Sequence, residues 1–100
     1  MSDEAVVASL RYLVKGVRTT RDAKSELQQE LAQSLPHAHA ITVLPVVEGF
    51  SVEIEVTDLK PFNRTSFEPY VAEHVLPDAV RLRCERTGEL GVQLLKSYFV

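Results

Sequence analysis

The sequence predicts an α+β fold, a two-layer domain in which helices cover one face of a four-stranded antiparallel sheet. Two patterns predict this class. Apolar residues recur every three or four positions over residues 4–34 and 67–75, which is the period of a helix packed on one side. Over residues 40–57 and 80–94 they alternate with polar residues, which is the period of a strand. The predicted element order is α(α)ββαββ.

The chain length and composition fit one domain over residues 1–100. A length of 100 residues is near the commonest size for a domain. The hydrophobic share of 45 % and the charged share of 25 % are ordinary globular values, which argues against disorder. The predicted order is a circular permutation of the ferredoxin-like order, which describes topology alone because a fold does not fix a function.

The first segment is predicted to be helical. A helix over residues 4–17 is indicated by four apolar residues at spacings of 4, 3 and 4: Val6, Leu10, Leu13 and Val17. A second helix over about 21–34, capped by Thr19 or Thr20, presents the stripe Ala23, Leu27 and Leu31 and ends at Pro36. Residues 4–34 can be one bent helix or a helical hairpin.

Residues 40–57 predict a β-hairpin with its turn at Glu48 and Gly49. Pro45 has no N–H to donate, which favours an edge strand or a bulge. The return strand alternates without a fault. Its core face is Phe50, Val52, Ile54 and Val56, and its outward face is Ser51, Glu53, Glu55 and Thr57.

The second half repeats this organisation. A third helix is predicted to begin at Thr65 or Ser66, with capping-box spacing, and to stop at Pro77. A second hairpin follows, with its turn at Thr87 and Gly88. In that hairpin Arg81 and Arg83 have the same outward phase as Glu53 and Glu55. This outward face is either solvated, with cross-strand Glu–Arg pairs, or open for dimerisation or docking.

The hypotheses of a metal site and of a catalytic site depend on three histidines and one cysteine. His37 and His39 point the same way in an extended chain, so they could approach one metal with His74, Cys84 or a carboxylate as a third ligand. The alternative is that both are polar turn residues. Cys84 in phase with Val80 and Leu82 is typical of a small buried hydrophobe, although a nucleophile pair with His74 is conceivable. We expect no catalytic residue, no metal and no cofactor.

Other segments predict contacts with partners. Arg11, Lys15 and Arg18 form a basic stripe that could contact phosphates, which makes a nucleic-acid-binding regulator the alternative function. Phe62 lies between two basic residues in a loop, either as a recognition residue or as a core plug. Tyr98 and Phe99 are expected to pack on their own domain or on a neighbour, because apolar side chains are costly to leave in water.

The function expected from the sequence is a non-catalytic interaction or regulatory module that acts through protein–protein contacts and self-associates. A small metal protein or enzyme using His37, His39 and His74 is the second alternative. The expected contact residues are Arg11, Lys15, Arg18, Glu53, Glu55, Phe62, Tyr98 and Phe99.

A cytoplasmic location without membrane contact is expected from three features of the sequence. Cys84 is the only cysteine, so there is no internal disulfide and no CxxC pair. The first charged residues are acidic, unlike the start of a signal peptide. No apolar stretch approaches the roughly 20 residues that span a bilayer.

Overall fold

Four antiparallel strands form one sheet in the order β2-β3-β1-β4, and helices pack on one of its faces. The computed structural model describes residues 5–59 and 62–100, without the side chain of Arg64. The elements in chain order are β1 (Ala8–Val17), α1 (Arg21–Ser34), β2 (Ala38–Val46), β3 (Gly49–Val56), α2 (Arg64–Tyr70), a π-helical turn (Val71–Val75), α3 (Leu76–Arg83) and β4 (Arg86–Phe99). The predicted class, a two-layer α+β fold with a four-stranded antiparallel sheet, is confirmed.

The element order differs from the predicted one. Because α2, the π-helical turn and α3 run on without a break, the order is β-α-β-β-α-β, which is the ferredoxin-like order itself and not its permutation. Two assignments caused the difference. Residues 8–17 form a strand where a helix was predicted, and residues 80–83 are helical where a strand was predicted. Residue 4, where the predicted helix begins, lies outside the described residues.

Strand β1 occupies the middle of the sheet, between β3 and β4. Ala8, Leu10, Tyr12 and Val14 are all fully buried, so alternate residues face the core. Residues four positions apart lie on the same face of a strand as well as of a helix. The spacing between Arg11 and Lys15 is therefore compatible with either element. Residues 4–34 are neither one helix nor a helical hairpin, but a strand followed by a helix.

Helix α1 agrees with its prediction in range, cap and buried face. The Thr20 side chain accepts a 3.0 Å hydrogen bond from the Ala23 N–H, which satisfies one of the free donors at the helix start. Ala23, Leu27 and Leu31 are buried. Pro36 follows the last turn, as expected from its effect on the residue before it.

The hairpin of β2 and β3 is confirmed, with Val47 and Glu48 in the turn. Gly49 opens β3 with a φ of 154°, and a Cβ placed there would lie 1.9 Å from the Val14 carbonyl oxygen. Only glycine therefore fits beside β1. Strand β2 is an edge strand, which agrees with Pro45 at its end.

Residues 64–83 are helical throughout, with a wider turn in the middle. Asn63 is the N-cap, two residues before Thr65 and three before Ser66, where the cap was predicted, and its side chain accepts hydrogen bonds from the N–H groups of these two residues. The helix continues past Pro77, where it was predicted to stop. In the π-helical turn, the Leu76 N–H bonds the Val71 carbonyl five residues back. We attribute the tolerance of Pro77 to this wider turn, which relieves the clash between a proline ring and the preceding turn.

The predicted second hairpin is wrong, because β4 pairs with the distant strand β1. Arg81 and Arg83 lie in the last turn of α3, where they form ion pairs with Asp78 and Glu30, both at 2.8 Å. They are therefore not on the sheet. Helix continuation through this segment is consistent with the burial of Leu76, Ala79 and Val80 against the core.

One core lies between the sheet and the helices. It combines the inward residues of β1, β2 and β3 with the buried faces of α1, α2 and α3. Among the described residues, no helix is long and apolar enough to cross a membrane.

Candidate interaction surface

The second face of the sheet is uncovered in the described part of the chain. Since Ala8, Leu10, Tyr12 and Val14 face the helices, the residues between them point the other way. The strand registers place the outward residues in four rows across β2, β3, β1 and β4. These rows are Ala40–Glu55–Ser9–Tyr98, Thr42–Glu53–Arg11–Lys96, Leu44–Ser51–Leu13–Gln93 and Val46–Gly49–Lys15–Gly91. We call this surface the open face.

A charged pair lies in the second row of the open face. The Arg11 guanidinium donates two hydrogen bonds to one carboxylate oxygen of Glu53, at 2.6 and 3.0 Å. The two residues are direct cross-strand partners. Their side chains are 46 % and 35 % exposed, so the pair contributes only about 0–1 kcal/mol to folding. Breaking this pair would therefore destabilise the fold only slightly.

Large apolar side chains stand beside this pair. On β2, Leu44 is 52 % exposed and Val46 is 40 % exposed, and on β4 Tyr98 is 56 % exposed. Ser51 and Gly49, on β3 between β2 and β1, are small. Beside Ser51 lies an open depression of about 370 Å³, which is lined by Leu44, Val46, Ser51, Thr42, Arg11 and Glu53. The face thus carries both protruding apolar side chains and a hollow.

Five of the eight sequence-predicted contact residues meet on the open face: Arg11, Lys15, Glu53, Glu55 and Tyr98. Arg11 and Lys15 belong to a strand and not to the predicted helix. The expected cross-strand Glu–Arg pair exists, with Arg11 as the partner of Glu53 in place of Arg81 or Arg83.

The other three predicted contact residues lie elsewhere. Arg18 follows β1 and pairs with Glu85 at 3.5 Å. Phe62 packs against the core and stacks on Tyr70 with ring centroids 4.5 Å apart, which is the core-plug alternative. Phe99 is half-buried against the core, opposite Ala8 of β1.

Sequence reasoning missed Leu13, Leu44 and Val46 as members of this surface. Leu13 was placed on the buried stripe of a helix, but it lies in the open face and is shielded there by its neighbours, at 8 % exposure. Leu44 and Val46 were available from the sequence. Leu44 and Val46 alternate with Val43 and Pro45 along β2. In the hairpin they pair with Ser51 and Gly49, which are outward positions of β3, so Leu44 and Val46 also point outward.

The three histidines lie in three different elements and do not form a cluster. His37 lies in the turn before β2, His39 lies in β2, and His74 lies in the π-helical turn near Tyr70, with ring centroids 5.7 Å apart. Within residues 5–59 and 62–100, no three histidine, cysteine or acidic side chains are placed to hold a metal ion.

Cys84 lies at the end of the helix that carries His74. The two residues are ten positions apart, which corresponds to about 15 Å along a helix that rises about 1.5 Å per residue. Burial raises the pKa of the Cys84 thiol, and the Glu26 carboxylate raises it further. Since the thiolate is the reactive form, this environment favours an inert cysteine.

Comparisons with protein-family models, with curated protein sequences and with solved structures return no match for this chain.

Proposed function

We propose that this chain is a non-catalytic assembly module that acts through protein–protein contacts, in the first place with a second copy of itself. The observation that carries the proposal is the open face. It exposes Leu44, Val46 and Tyr98 next to charges of both signs, on a sheet whose other face is covered by helices.

The physical reason is the cost of hydrating the apolar part of this surface. Removing apolar area from water contributes roughly 25 cal/mol per Å². Helices already cover one face of this sheet, and antiparallel sheets commonly leave the other face in water. The exposed apolar side chains of the open face are therefore the part of the surface that a second copy would cover. A cytoplasmic location, where a single unpaired cysteine is ordinary, is part of the proposal.

A nucleic-acid-binding regulator has less support. The basic stripe was predicted on a helix, but its residues lie on and after a strand. Each has an acidic partner: Arg11 with Glu53, Lys15 with Glu48 and Arg18 with Glu85. Phosphate binding needs excess positive charge, and these pairs offset it locally.

The test is the mass of the protein in solution. Sedimentation velocity and light scattering between about 1 and 100 μM cover the affinities of weak and moderate dimers. We expect a species of twice the 11.2 kDa chain mass to grow with concentration. A constant 11.2 kDa mass over the whole range would contradict the proposal.

A further inference from the structure

We infer that two copies pack open face to open face, about a two-fold axis that runs parallel to the strands between β1 and β3. This inference rests on the proposed function and adds the surface and its orientation. The charges and the side-chain sizes of the open face support this arrangement, and the area of the face sets the size of the contact.

Four of the five charged residues in these rows lie in two adjacent columns of opposite sign, and the fifth, Lys96, lies on β4. The outward face of β1 carries Arg11 and Lys15, and the outward face of the neighbouring β3 carries Glu53 and Glu55. Rotation about an axis between these strands lays each basic column over the acidic column of the other copy. Arg11 of one copy then faces Glu53 of the second, and the reverse, so the contact is self-complementary as a two-fold interface requires.

Side-chain sizes match under the same rotation. In each row, the residue of β1 faces that of β3 in the second copy, and the residue of β4 faces that of β2. Four of these pairs place a large residue opposite a small one: Leu13 opposite Ser51, Lys15 opposite Gly49, Val46 opposite Gly91 and Tyr98 opposite Ala40. In the third row, Leu44 lies opposite Gln93, and both side chains are large. Aligned sheets cross at about 30°, so the matching is closest near the axis.

A two-fold axis perpendicular to the strands gives a poorer contact. That rotation lays each strand over its own copy with the row order reversed. The basic column of β1 would then face itself, with Arg11 close to Lys15 of the second copy, and the acidic column of β3 would also face itself. Juxtaposed like charges oppose association, so the parallel axis is preferred.

The area of the open face sets the size of this contact. Four strands at about 4.8 Å spacing, each with about seven residues at about 3.3 Å, present a flat projection of about 450 Å². Side-chain relief adds to this figure, and a standard interface buries about 800 Å² of accessible surface per partner. Two copies that pack on the open face alone therefore form a small interface, of the size that weak or transient dimers bury.

Charge reversal tests this geometry directly. Arg11→Glu leaves the second row with acidic residues on both β1 and β3, and Glu53→Arg leaves it with basic ones. We expect each variant alone to weaken dimerisation by at least about tenfold, because like charges then face each other across the axis. Mixed in equal amounts, the two variants should form a heterodimer, which native mass spectrometry resolves by mass.

The control is Arg81→Glu, which reverses an exposed, ion-paired arginine on α3 and should leave the dimer unchanged. Circular dichroism verifies that each variant is folded. If a charge variant fails to fold, Leu44→Asp gives the answer, because a charge at this exposed position on β2 should also abolish the dimer.

The outcomes separate the two proposals. Loss of the homodimers together with recovery of the heterodimer supports the interface. A wild-type dimer that Arg11→Glu, Glu53→Arg and Leu44→Asp all leave unchanged would overturn the interface and keep the self-associating module. A wild-type protein that is monomeric throughout would overturn both.

Discussion

At the scale of single residues, Tyr12 connects the two layers of the fold. It is fully buried in the central strand β1, and its hydroxyl donates a 2.9 Å hydrogen bond to the Glu68 carbonyl oxygen in α2. That carbonyl lies just before the π-helical turn. A buried phenol needs such a partner, because an unpaired polar group in the core costs free energy. The hydrogen bond therefore helps to set the distance between α2 and the sheet.

Tyr12→Phe should lower the free energy of unfolding by about 1 kcal/mol at pH 7, because the hydrogen bond is lost while the ring remains. Burial raises the pKa of the Tyr12 phenol, and the Glu68 carboxylate raises it further. Because the folded state favours the neutral phenol, the buried hydroxyl stabilises the fold fully at pH values below the unfolded pKa of about 10. This stabilisation is lost as the pH rises above that value. Urea unfolding at pH 7 and at about pH 11 measures both effects.

The wild type should lose more stability between these two pH values than Tyr12→Phe does. All other side chains are the same in the two proteins, so their contributions to the pH dependence cancel in the comparison. An equal loss in the two proteins would show that the Tyr12 hydroxyl is not buried against α2.

At the scale of elements, the approach of β3 to β1 depends on the hairpin entry at Gly49. A Cβ there would overlap the Val14 carbonyl oxygen, and the φ of 154° is one that other residues rarely adopt. At the same end of β1, the edge that faces β4 has a similar constraint at Gly16, whose φ is 80° and where a Cβ would lie 2.2 Å from the Glu89 carbonyl oxygen. Glycines at these two positions let β1 lie between its neighbours.

Gly49→Ala should lower the free energy of unfolding by about 2–4 kcal/mol, from backbone strain and from the forced separation of β3 and β1. Gly88→Ala is the matched control. A Cβ at Gly88 meets nothing within 4 Å, and that substitution should change stability by less than about 0.5 kcal/mol. Equal effects of the two substitutions, measured by chemical denaturation, would contradict this account of the hairpin.

At the scale of the whole molecule, the sheet is asymmetric. One face is buried under α1, α2 and α3, and the open face holds charges of both signs among exposed apolar side chains. If a second copy covers this face, stability becomes linked to protein concentration, because association stabilises the folded state by mass action.

The melting temperature of the wild type should therefore rise with concentration between about 5 and 200 μM, while that of Leu44→Asp should stay constant. Differential scanning calorimetry or fluorimetry measures the difference. A wild-type melting temperature that does not depend on concentration would contradict association through this face, whatever the behaviour of the variant.

Local signals in the sequence are sufficient to predict several parts of the fold. The cap at Thr20 and the stripe of α1 identify a helix from neighbouring residues alone. The alternation in β3 identifies a strand and assigns Glu53 and Glu55 to its outward side. Pro45 indicated an edge strand because it lacks a donor. The fold class and much of the open face were accessible in this way.

Contacts between distant segments resolve the elements for which the spacing of apolar residues is ambiguous. The apolar residues of β1 fit helical and extended spacing, and hydrogen bonds to two distant strands select the strand. Pro77 stops a helix by local rules, but burial of Val80 and the wider turn before it carry the helix on. The meeting of Arg11 with Glu53 follows from that pairing, because residues far apart in sequence become neighbours only when the strand register is fixed.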